Sequence, residues 1–145
     1  MTEQNNGLSD LAIAVPRNDP DMELAFLDAR RTIEQFIRHV QNPTATQGFF
    51  AVKVKLSVGD RDEYIWINDV TYDGRIFVGH TGNKTDFLPE LSLGDEYKVS
   101  QGDICDWMFV EQGKLMGGYT IRAARDKMTP ENRKLLDASL WFAVE

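Results

Sequence analysis

The sequence predicts an α+β fold, in which a curved antiparallel sheet of about five strands packs against an N-terminal helix and two C-terminal helices. Three patterns predict it. Between residues 20 and 41, apolar residues recur at three- and four-residue steps, which is the period of a helix. From residue 48 onward they alternate with polar residues in short runs separated by turn residues, and after residue 117 the helical period returns.

The first helix is predicted within NDPDMELAFLDARRTIEQFIRHVQNP, residues 18–43. Asp19 suits the capping position and Pro20 the first turn, because the amide that proline lacks has no partner within the helix there. One apolar stripe runs along this helix and requires a sheet or another helix to cover it. The stripe consists of Met22, Phe26, Ala29, Ile33, Phe36, Ile37 and Val40.

Five strands are predicted after the helix. The first has Phe50, Val52, Val54, Leu56 and Val58 on one face and Lys53, Lys55 and Ser57 on the other, which is typical of a half-buried strand. Turns at residues 59–62 and 72–75 join it to EYIWINDV and then to IFVGH. EYKVS and DICDWMFV follow a loop at residues 81–95, and the last strand turns at residues 111–114.

The end of the chain predicts two helices, one through YTIRAARDKM and one that begins at Thr129 and Pro130 and covers about residues 130–141. Residues 1–10 lack a pattern and are predicted to be a flexible tail, while residues 11–145 are predicted to be a single domain. LAIAV at residues 11–15, ended by Pro16, is predicted to be an edge strand.

The composition limits the classes of partner. Sixteen basic residues against 23 acidic ones give a net charge of −7, which disfavours nucleic acid and anionic membranes and favours a basic partner. No apolar run reaches the length of a membrane span, and the polar N-terminus does not resemble a secretory signal. With a single cysteine that cannot form an internal disulfide, the sequence predicts a cytoplasmic protein.

The stretch DICDWMFVEQGKLMGG, residues 103–118, has the residue types of a reactive site and also those of a crowded core. Alternation places Cys105 beside Trp107 on one strand face, where apolar surroundings would raise the pKa of the thiol and make it inert. Asp106 would be costly to bury without donors, so we expect it to accept backbone amides or to pair with Arg122. Asp103 suits the turn at the start of the strand.

Gly117-Gly118 permits a backbone turn from strand into helix, and its free amides are an alternative binding site for an anion. Tyr119 and Arg122, three residues apart, could face a pocket together. No metal or cofactor is predicted. His39 is placed on the polar side of the first helix and His80 at the end of a strand, with no cysteine or carboxylate at ligand spacing.

Four segments resemble a known family: the helix AFLDARRTIEQF, the strand EYIWINDV, LSLGDEYKVS, and DICDWMFVEQGKLMGGYTIR with its Asp-Trp-Met triplet and GGYT. They resemble the bacterial family catalogued as domain of unknown function 2314 (DUF2314), over about residues 15–125. The resemblance implies a small α+β domain without an assigned reaction, to which the helix at residues 130–141 is appended. It also implies a serine at Cys105, and that departure argues against a thiol-dependent mechanism.

Two functions remain open from the sequence. The first is a non-catalytic protein-binding module, with an acidic surface and aromatic anchors, which similarity to small acidic bacterial modules associates with immunity proteins that bind a basic toxin. The second is a small-molecule or anion-binding domain or enzyme with a pocket near Gly117-Gly118. The candidate ligand- or partner-binding residues are Trp66, His80, Asp106, Trp107, Tyr119 and Arg122.

The final residues LWFAVE are apolar for a chain end. Leu140, Trp141, Phe142 and Val144 must either dock on the domain or attach to another chain, so the segment 140–145 is also a candidate for homo-oligomer formation.

Overall fold

The computed structural model describes residues 19–82 and 92–145. Within these two ranges the chain forms four α-helices and one open antiparallel sheet of six strands. The helices are α1 (Pro20–Arg31), α2 (Ile33–Gln41), α3 (Tyr119–Asp126) and α4 (Pro130–Ser139). The strands are β1 (Gln47–Val58), β2 (Arg61–Tyr72), β3 (Ile76–Thr81), β4 (Glu96–Ser100), β5 (Ile104–Glu111) and β6 (Lys114–Gly117). The predicted α+β class is confirmed.

The strands are arranged in the order β4-β3-β2-β1-β5-β6. The chain first builds β1 to β4 as a meander and then returns through a short 3₁₀ turn, Gln101–Asp103, to add β5 on the other side of β1. Asp103 thus lies in the turn that precedes the strand, as predicted. The prediction of about five strands missed β6, because its four residues follow a tight turn and are too short to show alternation.

The first helical segment is divided at Thr32, where a single helix was predicted. Asp19 caps α1 by accepting the amide of Asp21 at 3.0 Å, and Pro20 opens the helix, as expected. Thr32 leaves the helical conformation with φ −112° and ψ 9°. Its hydroxyl donates to the carbonyl of Asp28 at 2.8 Å, a bond that often bends helices.

Each face of the sheet has its own apolar core. The core against α1 and α2 contains Ala29, Ile33, Phe36, Phe50, Val52, Val54, Leu56, Ile65, Ile67, Val70, Phe77, Val99, Ile104, Trp107 and Phe109. The core against α3, α4 and the chain end contains Ala51, Trp66, Met108, Val110, Leu115, Ile121, Leu136 and Phe142. Helices therefore cover both faces, and a third, smaller cluster joins α1 to α3.

Two predictions about strand faces were wrong. Lys53 was expected on a solvated face, but it is only 6% exposed because α3 covers that side of β1. Cys105 was expected beside Trp107. Instead β5 has a bulge, since Lys53 pairs with Asp106 and the next residue of β1 pairs with Ile104. Ile104 therefore shares the face of Trp107, and Cys105 packs in the small cluster between α1 and α3.

Some predictions lie outside the described residues. These are the flexible tail at residues 1–10, the edge strand at residues 11–15 and most of the loop at residues 81–95. Among the helices within residues 19–82 and 92–145, none has the length and apolarity that crossing a membrane demands.

Candidate functional site

Asp106 lies completely buried on β5, where the strand passes under the start of α3. Its Oδ1 accepts the backbone amides of Trp107 at 2.8 Å and Tyr119 at 3.2 Å. Its Oδ2 accepts the amide of Thr120 at 2.8 Å and the hydroxyl of Thr120 at 2.6 Å. Of the two roles expected for this carboxylate, the backbone bonds are confirmed and the pairing with Arg122 was wrong.

The double glycine explains why β5 must supply the cap of α3. Gly118 occupies the capping position and has no side chain that could accept the first amides of the helix. Gly117 and Gly118 have φ values of +71° and +65°, which glycine adopts without strain. A Cβ on Gly117 would lie 2.5 Å from the indole of Trp107, so the chain reverses directly against that ring.

The amides at this turn donate within the protein. Gly118 donates to the carbonyl of Trp107 at 2.7 Å, and the amides of Tyr119 and Thr120 donate to Asp106. The anion that the start of α3 binds is therefore a carboxylate of its own chain.

Lys53 belongs to the same buried cluster, which its sequence position did not reveal. Its Nζ donates to the hydroxyl of Thr120 at 3.1 Å, and this hydroxyl donates in turn to Asp106. The ammonium also lies 5.6 Å from the ring centre of Trp66 and 5.8 Å from that of Tyr64. Lys53 and Asp106 are paired across β1 and β5. Knowing that pairing would have revealed Lys53, but the pattern of a single strand does not contain it.

Burial shifts the pKa values of both charged groups in this cluster. Burial raises the pKa of Asp106, while the hydrogen bonds from Thr120 and Trp107 and the charge of Lys53 act in the opposite direction. Burial likewise lowers the pKa of Lys53, against the attraction of Asp106. Because both groups are buried and bonded internally, the cluster joins α3 to the sheet.

Cys105 is half-buried beside Met22, Ala25 and Phe26. Burial raises the pKa of its thiol, and the nearby charges of Lys53 and Lys55 oppose that shift without reversing it. The direction of this pKa shift agrees with the expectation, although the neighbours of Cys105 differ from those expected, and the inertness of the thiol stays a prediction.

Trp107 joins the sheet to the first two helices. Its Nε1 donates to the carbonyl of Ala29 and to the hydroxyl of Thr32, each at 3.2 Å. Its ring lies 5.5 Å from that of Phe36 and meets Tyr119 edge-on at 5.8 Å. Only 2% of Trp107 is exposed, so it is a core residue in this structure.

The six candidate residues do not surround one site. Asp106, Trp107 and Tyr119 come together at the start of α3. Trp66 lies on the opposite face of the sheet from Trp107, where Lys53 connects it to the cluster of Asp106. His80 is exposed on β3. Arg122 turns away from Asp106 and donates to carbonyls of β6 and of the chain end. A role of these residues in binding stays a prediction.

His39 lies differently from the prediction, which placed it on the polar side of its helix. It is half-buried, with its ring 4.9 Å from that of Phe109 and its Nδ1 3.0 Å from the side-chain Nε2 of Gln47. In residues 19–82 and 92–145, no three acidic, histidine or cysteine side chains are grouped in a way that could hold a metal.

A shallow groove of about 250 Å³ lies between the first two helices and the turn before β5. It is lined by Ala29, Arg30, Ile33, Gln101, Gly102 and Ile104, and by none of the six candidates.

Near the chain end lies Trp141, the one aromatic residue among the exposed large apolar side chains of the described structure. Phe142 is 6% exposed in the core beneath α3 and α4, while its neighbour Trp141 is 52% exposed. Trp141 meets the ring of Phe49 edge-on, with 5.5 Å between ring centres. Ala143 then forms a parallel bridge to Lys114 on the outer edge of β6. The sequence left docking and exposure as alternatives, and the tail shows both.

Comparison with known proteins assigns the chain to a family. The sequence pattern of the bacterial family described as "Uncharacterized protein conserved in bacteria (DUF2314)" matches residues 19–143. The chain belongs to this family. The DUF2314 match includes the cluster around Asp106, α4 and the tail as far as Ala143. It therefore continues beyond the expected end near residue 125.

Two relatives are also similar to this DUF2314 chain. "Uncharacterized protein YegJ" of Escherichia coli is 32% identical over 114 residues, which cover 79% of this chain and 73% of that protein. A Neisseria meningitidis protein named "Putative ankyrin repeat protein NMB1133/NMB1171" is 33% identical over 133 residues, covering 86% of this chain. The match spans 53% of the Neisseria protein. No solved structure is significantly similar to the chain.

Proposed function

We propose that this chain is a non-catalytic protein-binding module whose partner is a basic protein. The observation that carries the proposal is the exposure of Trp141, which leaves 52% of its surface in water beside the ring of Phe49. Tryptophan is enriched among the residues that contribute most to protein interfaces, because it buries a large area with little loss of conformational entropy.

The backbone conformation of Phe49 also supports a binding surface formed by Phe49 and Trp141. Phe49 has a φ of +54° at a bulge of β1, a conformation that costs a bulky L-residue roughly 1–2 kcal/mol. Bulges of this kind redirect a side chain out of the alternating pattern. Here the redirected ring packs against Trp141 at the surface, while the next residue, Phe50, remains in the core.

The placement of the reactive side chains favours binding over catalysis. A general acid or base has to reach a substrate, and Asp106 and Lys53 are 0% and 6% exposed with partners inside the protein. The net charge of −7 favours association with a basic protein, and a basic toxin bound in the manner of an immunity protein is one such partner. The ankyrin repeat name of the Neisseria relative agrees with this class, since such repeats form binding surfaces.

Affinity capture from the host with the full chain tests the proposal. We expect the wild type to capture a specific basic protein and Trp141→Ala to lose it. Leu24→Ala is the matched control, because Leu24 is an apolar residue of α1 with 57% exposure and lies outside the surface formed by Phe49 and Trp141. Equal capture by the wild type and Trp141→Ala, or no specific protein with either, would contradict the proposal.

A further inference from the structure

Two elements of the chain itself close the outer edge of β6. Ala143 donates its amide to the carbonyl of Gly113 at 2.8 Å and accepts the amide of Leu115 at 2.9 Å. Arg122 donates to the carbonyls of Leu115 and Gly117, each at 2.8 Å. The first half of the edge therefore holds a strand-like segment, and an arginine takes the place of such a segment along the second half.

The tail, residues 140–145, binds this edge as an added strand would. Its main-chain bonds to β6 place no requirement on side chains, so specificity comes from the side chains that enter pockets. One side chain does so fully: Phe142 is 6% exposed and packs in the core that contains Leu115 and Ile121. Trp141 and Ala143, on either side of it, remain exposed.

The tail is held more loosely than the strands. Besides a bond from Arg122 to the carbonyl of Glu145, it has a single bridge to β6, whereas β5 pairs along the whole length of that strand. The ion pair between Lys114 and Glu145 spans 3.6 Å and joins side chains that are 59% and 66% exposed, so water screens it. Segments whose main-chain bonds are few and lie near solvent open at a lower free energy than the core does.

We propose that the outer edge of β6 is a peptide-binding site, that the tail is its resident ligand, and that the partner adds an extended segment to this edge by displacing residues 142–145, while Trp141 keeps its contact with the partner. The partner segment has a large apolar side chain at the position of Phe142 and repeats the two main-chain bonds of Ala143. This inference rests on the proposed function, because it states how the protein partner is bound.

Competition with the tail sets the apparent affinity of the edge. A segment attached to the same chain acts at an effective concentration of about millimolar, so an external peptide binds only the fraction of molecules whose edge is open. Weakening the tail raises that fraction and therefore tightens the binding of an external peptide. An edge that holds the tail only because the tail is covalently attached to the same chain predicts no such gain.

The test titrates the full chain with the synthetic peptide SLWFAVE, which has the sequence of residues 139–145, while backbone amide resonances are recorded. We expect Phe142→Ala to bind this peptide on the order of tenfold more tightly than the wild type does, with the largest shifts at Leu115 and Gly113. The same peptide with an N-methyl group on Ala143 lacks the amide that donates to Gly113 and should bind neither protein.

Ala143→Pro is the second variant. It removes the same amide from the tail without changing the core, because Ala143 is exposed. Either variant, if folded, should gain affinity for the peptide. No gain in the folded variants, equal binding of the N-methylated peptide, or unfolding of both variants would overturn the inference.

The titration uses no host partner, so the two proposals fail separately. Capture of a basic protein through Trp141 together with no gain in peptide affinity would refute strand addition and leave the proposed function in place. A gain in peptide affinity together with no captured protein would refute the proposed function and leave the edge as a site for peptides.

Discussion

The β5–α3 junction and the C-terminal tail use the same residue types in opposite ways. At the junction, Trp107 is 2% exposed and Asp106 is 0% exposed. In the tail, Trp141 is 52% exposed and the side chain of Glu145 is 66% exposed. The segment for which the sequence left a reactive site and a crowded core open is buried in the junction, and the final segment presents Trp141 to solvent.

The difference follows from the free energy of burying polar groups. A buried carboxylate is tolerated only where donors replace water, and Asp106 receives two such bonds on each oxygen. A group satisfied in this way has nothing left to offer a ligand. An exposed tryptophan instead retains apolar surface whose burial against a partner is favourable.

The largest expected loss of stability comes from a substitution that breaks the β5–α3 junction. Asp106→Ala removes the acceptor of the Tyr119 and Thr120 amides and leaves the charge of Lys53 buried without its opposite. We expect a loss of about 4 kcal/mol in the free energy of unfolding. Urea denaturation measures it, and Asp103→Ala, at an exposed residue, should change stability by less than about 0.5 kcal/mol. A similarly small loss for Asp106→Ala would show that the carboxylate does not hold the junction.

A second effect tests how far the tail belongs to the core. Phe142→Ala empties the place of a side chain that is 6% exposed, and we expect a loss of about 3 kcal/mol in the free energy of unfolding. The same denaturation experiment measures it. A loss below about 1 kcal/mol would mean that the tail contributes little to the stability of the domain.

A third effect sharpens the account of the turn before α3. Gly117→Ala places a Cβ against Trp107 at a φ of +71°, and we expect a loss of about 2–3 kcal/mol. Gly113→Ala is the matched control, because Gly113 has a φ of +78° but open space around its Cβ position. The control should lose only about 1 kcal/mol, which is the cost of the backbone conformation. Equal losses would contradict the close packing against Trp107.

The fourth prediction concerns pH and Lys53. Because burial lowers the pKa of Lys53 in the folded state, the unfolded chain binds the proton more tightly between that lowered value and 10.5. The contribution of Lys53 to stability therefore rises with pH through this window and is constant above it. Unfolding free energies of wild type and Lys53→Met, measured from pH 7 to 10.5, should differ in this sense. Lys55→Met, at an exposed residue of the same strand, should keep the wild-type dependence.

The smallest expected effect on stability is that of Trp141→Ala, about 0.5 kcal/mol or less, because the side chain is half exposed. The same substitution should abolish partner capture. Thermal unfolding measures the first quantity, and a loss above about 2 kcal/mol would indicate that Trp141 is a structural residue like Trp107.

Local signals predicted the elements well. Asp19 and Pro20 indicated the start of α1, Thr129 and Pro130 indicated the start of α4, and turn residues separated the strands. The break at Thr32 was not predicted: its hydroxyl donates to the carbonyl of Asp28 four residues earlier and also accepts a bond from Trp107, which lies 75 residues away. The prediction of the strand face on which Cys105 lies was wrong for a similar reason, because the alternation of β5 does not show the bulge in its pairing with β1.

The candidate site shows the same difference between what nearby residues predict and what distant contacts decide. The expectation that Asp106 needs donors followed from its residue type and its apolar neighbours, whereas the identity of the donors depended on where α3 begins in space. Lys53 was missed, because a lysine between apolar residues on a strand is usually solvated. Only the helix that covers this face buries it.

The sequence by itself determined most of the helices and strands, the caps of α1 and α4, the turns between strands and the acidic charge, because these depend on residues close together in the chain. The tertiary structure decided which polar groups are satisfied: Lys53 with Thr120, Asp106 with α3, and Arg122 with the edge of β6. Such pairings depend on register and on covering elements that lie 13 or more residues away in the cases of Lys53 and Asp106. Burial then determines whether a charged or aromatic side chain holds the fold or faces a partner.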